Sequence, residues 1–133
     1  MIEGIGGAFL FSNDVKRLAI WYRDCLGILP AGEEPDSKSV YATFEYWDLE
    51  NPKIKRTTAW AILPTDKDIK EKPRTGKINY RVKDMAKILS HLKSKGVAIE
   101  KSEEYSYGKF AWLTDPDGNQ IELWEESAEN TNS

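Results

Sequence analysis

Apolar positions along the chain follow first a strand-like and then a helix-like period, and the same switch occurs twice. GAFLFSND (residues 7–14) reads as a short strand closing on Asp14; KINYRVKD (77–84), offset by 70 residues, reads the same way and closes on Asp84. Aspartate favours this place because its carboxylate accepts from the otherwise unpaired N–H groups of a helix's first turn. The period then changes. Val15, Leu18, Ala19 and Tyr22 fall on Met85, Ile88, Leu89 and Leu92, an i, i+3, i+4, i+7 stripe in both halves. Each predicted helix stops at a glycine, Gly27 or Gly96, followed directly by an apolar residue.

Beyond the helices both halves turn to β character. Strands are predicted over 28–30, 40–47 and 57–63 in the first half, and over 97–100, 109–114 and 120–124 in the second. DPDGN (115–119) is a strong turn signal joining the last two strands as a hairpin. The predicted fold class is therefore α+β, two βαβββ modules in one domain over residues 1–126. Module one covers 4–64, a connector with two prolines and mixed charges covers 64–76, module two covers 76–126, and 127–133 is expected to be a disordered tail.

A helix that buries its stripe on one sheet face leaves the other face free, and alternation assigns the strand residues between the two. Ala8, Leu10, Ile78, Tyr80, Val82, Ile121 and Leu123 are the helix-facing set. Gly7, Phe9, Phe11, Lys77, Asn79, Arg81, Gln120, Glu122 and Trp124 point to a concave face. Trp47, Trp60 and Trp112 lie on strands whose facing the sequence leaves open, and Trp60 is counted with the ligand-facing set. The segment EEYSY (103–107) precedes a strand at the rim, as a gate or, more simply, a polar surface loop.

Composition narrows the partners. A net charge of −3 and a pI near 5.3 oppose a nucleic-acid partner, which needs clustered Lys and Arg, and KDIKEKPR (67–74) is mixed in sign. The single Cys25 excludes an intrachain disulfide and reads as a buried structural thiol inside the first helix. The opening MIEGIGGAFLF has no basic leader and no run reaches membrane-spanning length, so a cytoplasmic protein without a membrane partner is expected.

FAWLTDPDGNQIELWE (110–125) resembles the C-terminal hairpin of the glyoxalase / bleomycin-resistance / extradiol-dioxygenase superfamily, the vicinal oxygen chelate fold. NDVKRLAIWYRDCLG (13–27) is similar to that family's first helix. With the repeat, the resemblance covers nearly all of residues 4–126, and the middle of the chain also resembles a glyoxalase-like bacterial subgroup. The family includes lyases, isomerases, dioxygenases, transferases and drug binders, so the resemblance implies a fold more than an activity. It also implies a homodimer whose modules pair edge to edge.

Family enzymes hold a divalent metal with a His or Gln on the first strand of each module and a carboxylate on the last. The matching first-strand positions here are Gly7 and Lys77, and 57–63 contains no Asp, Glu or His. Only Glu122 matches a ligand position, and the sole histidine, His91, falls on the second helix as a surface residue. One carboxylate does not make a tight site, so no cofactor is predicted and a divalent metal is not expected.

An inward carboxylate needs a partner, and Glu122 is expected to pair with Arg81 or Lys77. That pair reads either as a satisfied internal ion pair or as a site where Glu122 is a general base and Arg81 or Lys77 binds a substrate anion. Three functions stay open. One is a metal-free module binding a small, partly aromatic compound through Phe9, Phe11, Trp60, Lys77, Asn79, Arg81, Glu122 and Trp124. The second is a lyase or isomerase using Glu122, either metal-independent or with a divalent metal, and the third is a non-catalytic structural dimer.

Overall fold

The structure, a computed structural model, describes residues 3–70 and 76–127. Residues 71–75 of the connector and 128–133 of the tail lie outside the described residues. The chain divides into two compact units, Met1–Ile69 and Lys70–Ser133, here module one and module two. No helix among the described residues is long and apolar enough to cross a membrane.

Module one runs β1 (Gly7–Ser12), α1 (Val15–Trp21), a π-helical turn (Tyr22–Leu26), β2 (Val40–Trp47) and β3 (Lys55–Pro64). The Asp14 carboxylate caps α1 by accepting from the Arg17 N–H at 3.2 Å. Val15, Leu18 and Ala19 are buried along α1, and Tyr22 and Cys25 continue that buried face through the π turn. Gly27, at φ 70, ends the helix by donating its N–H to the Tyr22 carbonyl.

The three strands lie in the order β1-β3-β2, with β1 parallel and β2 antiparallel to β3. The strand expected at 28–30 is absent. Leu29 sits at φ 89 and Pro30 follows it, so this stretch has neither an extended backbone nor a full set of N–H donors.

The parallel register places Ala8 beside Trp60, and the antiparallel one places Ala42 there. Trp60 therefore lies on the same face as Leu10, toward α1. It is 1% exposed, and its ring meets Tyr22 edge-on at a centroid distance of 5.1 Å. This corrects the expectation that Trp60 faces a ligand: it is a core residue. Phe9 and Phe11 keep the orientation read from alternation and stand on the exposed face.

Module two runs β4 (Lys77–Arg81), α2 (Met85–Ser94), β5 (Lys101–Tyr105), β6 (Gly108–Thr114) and β7 (Gln120–Glu126). Asp84 caps α2 as Asp14 caps α1, accepting from the Lys87 N–H at 3.1 Å. Met85 and Leu92 are buried, and His91 lies exposed on α2. The strand order is β4-β7-β6-β5, with β4 parallel to β7, so the first and last strands pair in parallel in both modules. This pairing is the structural form of the repeat.

The strand expected at 97–100 begins later. The Val97 N–H is spent on the Leu92 carbonyl at 3.0 Å, closing the helix, and the first link to β6 is the Glu100 N–H to the Trp112 carbonyl at 2.8 Å. Residues 103–105 of the expected rim loop consequently belong to β5, with 106–107 as the turn into β6. The β6–β7 hairpin forms as read. The buried Asp115 carboxylate accepts from the Asp117 and Asn119 N–H groups, each at 2.9 Å, and from the Asn119 amide at 2.7 Å.

The placement of Trp60 has a direct consequence for stability. Trp60→Ala should cost about 3–5 kcal/mol in urea unfolding, as for other buried large-to-small changes. Phe11→Ala, at a 52% exposed ring, should cost less than about 1 kcal/mol. Equal losses at the two positions would contradict the facing assigned here.

Candidate functional site

The free face of the module-two sheet gathers most of the candidate residues, and its layout follows from register. The turn at 115–119 sets Thr114 opposite Gln120, hence Trp112 opposite Glu122 and Phe110 opposite Trp124. The parallel pairing adds Asn79 beside Glu122 and Arg81 beside Trp124. On the far side β5 sets Lys101 beside Trp112, Glu103 beside Phe110 and Tyr105 beside Gly108. Because directly paired residues share a face, these side chains form one surface.

Glu122 sits at its centre, with a side chain 16% exposed. One oxygen accepts from the Trp112 indole N–H at 2.8 Å and from the Lys77 ammonium at 3.2 Å; the other accepts from the Asn79 amide at 2.7 Å. Burial pushes the carboxyl group's pKa up, but hydrogen bonds from Asn79, Trp112 and Lys77, with the Lys77 charge, together hold it below the ordinary glutamate value. A carboxylate has about four acceptor positions. With three in use, roughly one is left for a donor from outside.

Of the two expected cations, only Lys77 pairs with Glu122. Arg81 pairs instead with Glu126, at 2.9 Å, because both sit one step further toward the end of the sheet. Lys101 pairs with Glu103 at 3.4 Å. Three cations (Lys77, Arg81, Lys101) and three carboxylates (Glu122, Glu126, Glu103) thus face one another on one surface, with a formal sum of zero.

Aromatic rings fill the space between these pairs. Phe110 lies nearly parallel to Trp112 and to Trp124, both at centroid distances of 6.0 Å, with interplanar angles of 13° and 10°. Tyr105 and Tyr107, stacked on each other at 5.3 Å, extend the cluster from the β5–β6 turn. Lys77 and Lys101 lie over Trp112, at 5.9 and 5.6 Å from its centroid, and Arg81 lies 5.8 Å from that of Trp124. Gly108 makes the close packing of Trp124 possible. At φ 149, a Cβ placed there would come within 2.5 Å of the indole nitrogen and of the Glu125 carbonyl.

Sequence reasoning found Lys77, Asn79, Arg81, Glu122 and Trp124 on this face and missed the contribution of Trp112, Phe110 and Lys101. The signal was present for the first two, since counting back from the hairpin turn fixes both facings. Lys101 depends on where β5 begins, which the helix end decides.

The free face of module one carries Phe9, Phe11, Tyr41 and Trp47, all largely exposed. At Gly7 the missing side chain leaves room that the Phe9 ring occupies: a Cβ there would stand 2.8 Å from the ring's tip.

These residues do not fit the divalent metal that the family resemblance implies. The place of a first-strand ligand is taken by the Phe9 ring in module one and by a lysine bonded to Glu122 in module two. β3 offers no acidic residue or histidine over its whole length. Among the described residues no group of three or more His, Cys, Asp or Glu side chains is positioned to hold a metal ion. Glu122 is surrounded by donors, the opposite of what a cation needs.

A family model described as the Glyoxalase/Bleomycin resistance protein/Dioxygenase superfamily matches residues 4–123. No curated protein matches this chain. Among solved structures it is similar to a glyoxalase / bleomycin resistance protein from Catenulispora acidiphila, at 23% identity over 93% of this chain and 100% of that one, with a TM-score of 0.60. A superfamily member from Sphaerobacter thermophilus shares 22% identity over 94% of this chain and 98% of that one, with a TM-score of 0.61. A lactoylglutathione lyase from Agrobacterium tumefaciens shares 15% identity over 93% of this chain and 94% of that one, with a TM-score of 0.60. At these identities the structures speak for the fold alone. The family match and the shared fold lead to one conclusion: the chain belongs to the Glyoxalase/Bleomycin resistance protein/Dioxygenase superfamily.

Proposed function

We propose that this protein is a metal-free binding protein for a small, flat, aromatic compound without net charge, held on the free face of the module-two sheet. The observation that carries the reading is the aromatic face itself: Trp112, Phe110 and Trp124 in near-parallel array, framed by three ion pairs in which each cation already has a carboxylate partner. Ring surface favours a flat apolar partner through stacking and area burial. The remaining acceptor position on Glu122 favours one with a hydrogen-bond donor at its edge.

The competing enzyme reading makes Glu122 a general base. Its surroundings weigh against that role. A base must gain a proton readily near the working pH, whereas three donors and a neighbouring ammonium stabilise this group as the carboxylate. Capture of a substrate anion by Arg81 or Lys77 faces a similar cost, because each would have to leave a carboxylate partner.

The binding test is a thermal-shift and tryptophan-fluorescence titration with neutral amino-substituted naphthoquinones and anthraquinones, whose N–H can donate to Glu122, beside their sulfonated anions. Neutral compounds should stabilise the protein with little salt dependence. Phe110→Ala should weaken them by about tenfold, the equivalent of one lost stacking contact of about 1.4 kcal/mol. Tighter binding of the anions, weakening steeply with salt, would point to a charged substrate instead.

Elemental analysis of protein purified without chelator should find no stoichiometric Zn, Ni, Fe or Mn. One equivalent per chain, lost on Glu122→Gln, would refute the metal-free reading.

The depressed pKa of Glu122 sets a pH dependence whose sign is fixed. Its folded value lies below the unfolded one, so its stabilising effect is complete above the ordinary glutamate pKa of 4.5 and fades as pH falls through the folded value. Glu122→Gln should therefore lower unfolding free energy by about 1–2 kcal/mol at neutral pH, from weakened charge-assisted bonds. That difference from the wild type should shrink toward zero in strong acid, as followed by urea denaturation across the pH range.

A further inference from the structure

Register sets Asn79 and Glu122 side by side, on the parallel strands β4 and β7 and on one free face. A carboxylate only accepts, so the Asn79 carboxamide must turn its nitrogen to Glu122, and it lies 2.7 Å from Oε2. That contact uses one of the two N–H groups of the amide. Glu122 Oε1 is engaged twice, by the Trp112 indole N–H and by the Lys77 ammonium, so the remaining acceptor position of the carboxylate lies on Oε2. Asn79 is exposed, and its second N–H has no partner among the described residues. A donor and an acceptor are therefore left over on two atoms in direct contact, Asn79 Nδ2 and Glu122 Oε2.

Granted the aromatic-binding function above, we propose that this pair reads a cis-amide edge, a ring N–H beside a ring C=O. The ligand class is then a neutral heteroaromatic lactam of the pyridone, pyrimidinone or pteridinone type. Its N–H donates to Glu122 Oε2 while its C=O accepts from Asn79, two parallel bonds across one edge. The nitrogen and oxygen of such an edge stand about 2.3 Å apart by standard amide bond lengths, near enough to the 2.7 Å between the protein atoms for both bonds to form. The ring is left beside Trp112, in the same row as Glu122, and Trp124, one step further along β7.

Other edges fit less well. A plain quinone turns lone pairs toward the Glu122 oxygen, and an edge of two N–H groups sets one donor against the Asn79 N–H. Each mismatch leaves a desolvated polar group without a bond, which is how a polar site discriminates most strongly.

The test is isothermal titration calorimetry on the full chain with the two-ring lactams carbostyril and isocarbostyril beside their N-methyl derivatives. The derivatives keep the ring and the carbonyl and lose only the donor. Each parent should bind about tenfold tighter than its derivative, the scale of one hydrogen bond to a charged group. Asn79→Ala should weaken the parents by about tenfold, whereas Phe110→Ala should weaken parents and derivatives alike. Derivatives that bind as tightly as their parents, or parents unaffected by Asn79→Ala, would overturn the proposal. Should Asn79→Ala fail to fold, the methyl contrast on the wild type decides by itself. The amino-substituted quinones separate the two levels. If they bind and the lactams show no preference over their derivatives, the lactam edge alone is refuted; if neither class binds, the aromatic-binding function falls with it.

Discussion

Covering one face of a sheet with a helix commits every strand beneath it to sorting its residues two ways, and the rest of this molecule follows from that sorting. In each module the first strand feeds a helix capped by an Asp, and the helix lays its apolar stripe on the sheet. Leu10, Trp60 and Ile62 in one module, and Ala111, Leu113, Ile121 and Leu123 in the other, go under the helix and are almost wholly buried. Their immediate neighbours in sequence are turned to the opposite face by the pleat. Polar chemistry on the free faces is therefore a by-product of core formation, and its spacing across the sheet is set by strand pairing.

On the module-two face this spacing turns isolated residues into a coupled surface. Glu122 stands where the family resemblance implies a metal ligand, yet its neighbours, an indole N–H, an amide and an ammonium, all donate to it. A carboxylate so surrounded gains little from a cation and little from a proton. The same fold that supports metal chemistry in other arrangements of residues here supports a fixed acceptor among stacked rings.

The two modules have used the repeat differently. Module two completes four strands, while in module one the stretch after the helix is irregular and three strands form. The backbone at Leu29 and Pro30 accounts for the loss, which leaves β2 as an edge strand among the described residues. Pro30 and Leu29 were visible in the sequence beside a helix-stopping glycine, but the apolar start of 28–30 reads as a strand because periodicity carries no information about φ.

Local rules determined much of this protein. The repeat, both helices and their caps, the hairpin turn at 115–119, and the exposed facing of Phe9, Phe11, Lys77, Asn79, Arg81, Glu122 and Trp124 were legible, because each depends on residues within one or two turns of chain. The pairing of Trp112 and Phe110 with β7 was legible in principle through the same hairpin. What the tertiary structure alone decided involves strands distant in sequence. Trp60 is buried because β3 pairs with β1 and β2 in registers that no local pattern specifies. Lys77 rather than Arg81 meets Glu122 because β4 joins β7 from across the module, with the register placing Asn79 beside Glu122 and Arg81 one step beyond. Alternation fixes which way a side chain points, but only long-range pairing fixes what stands next to it.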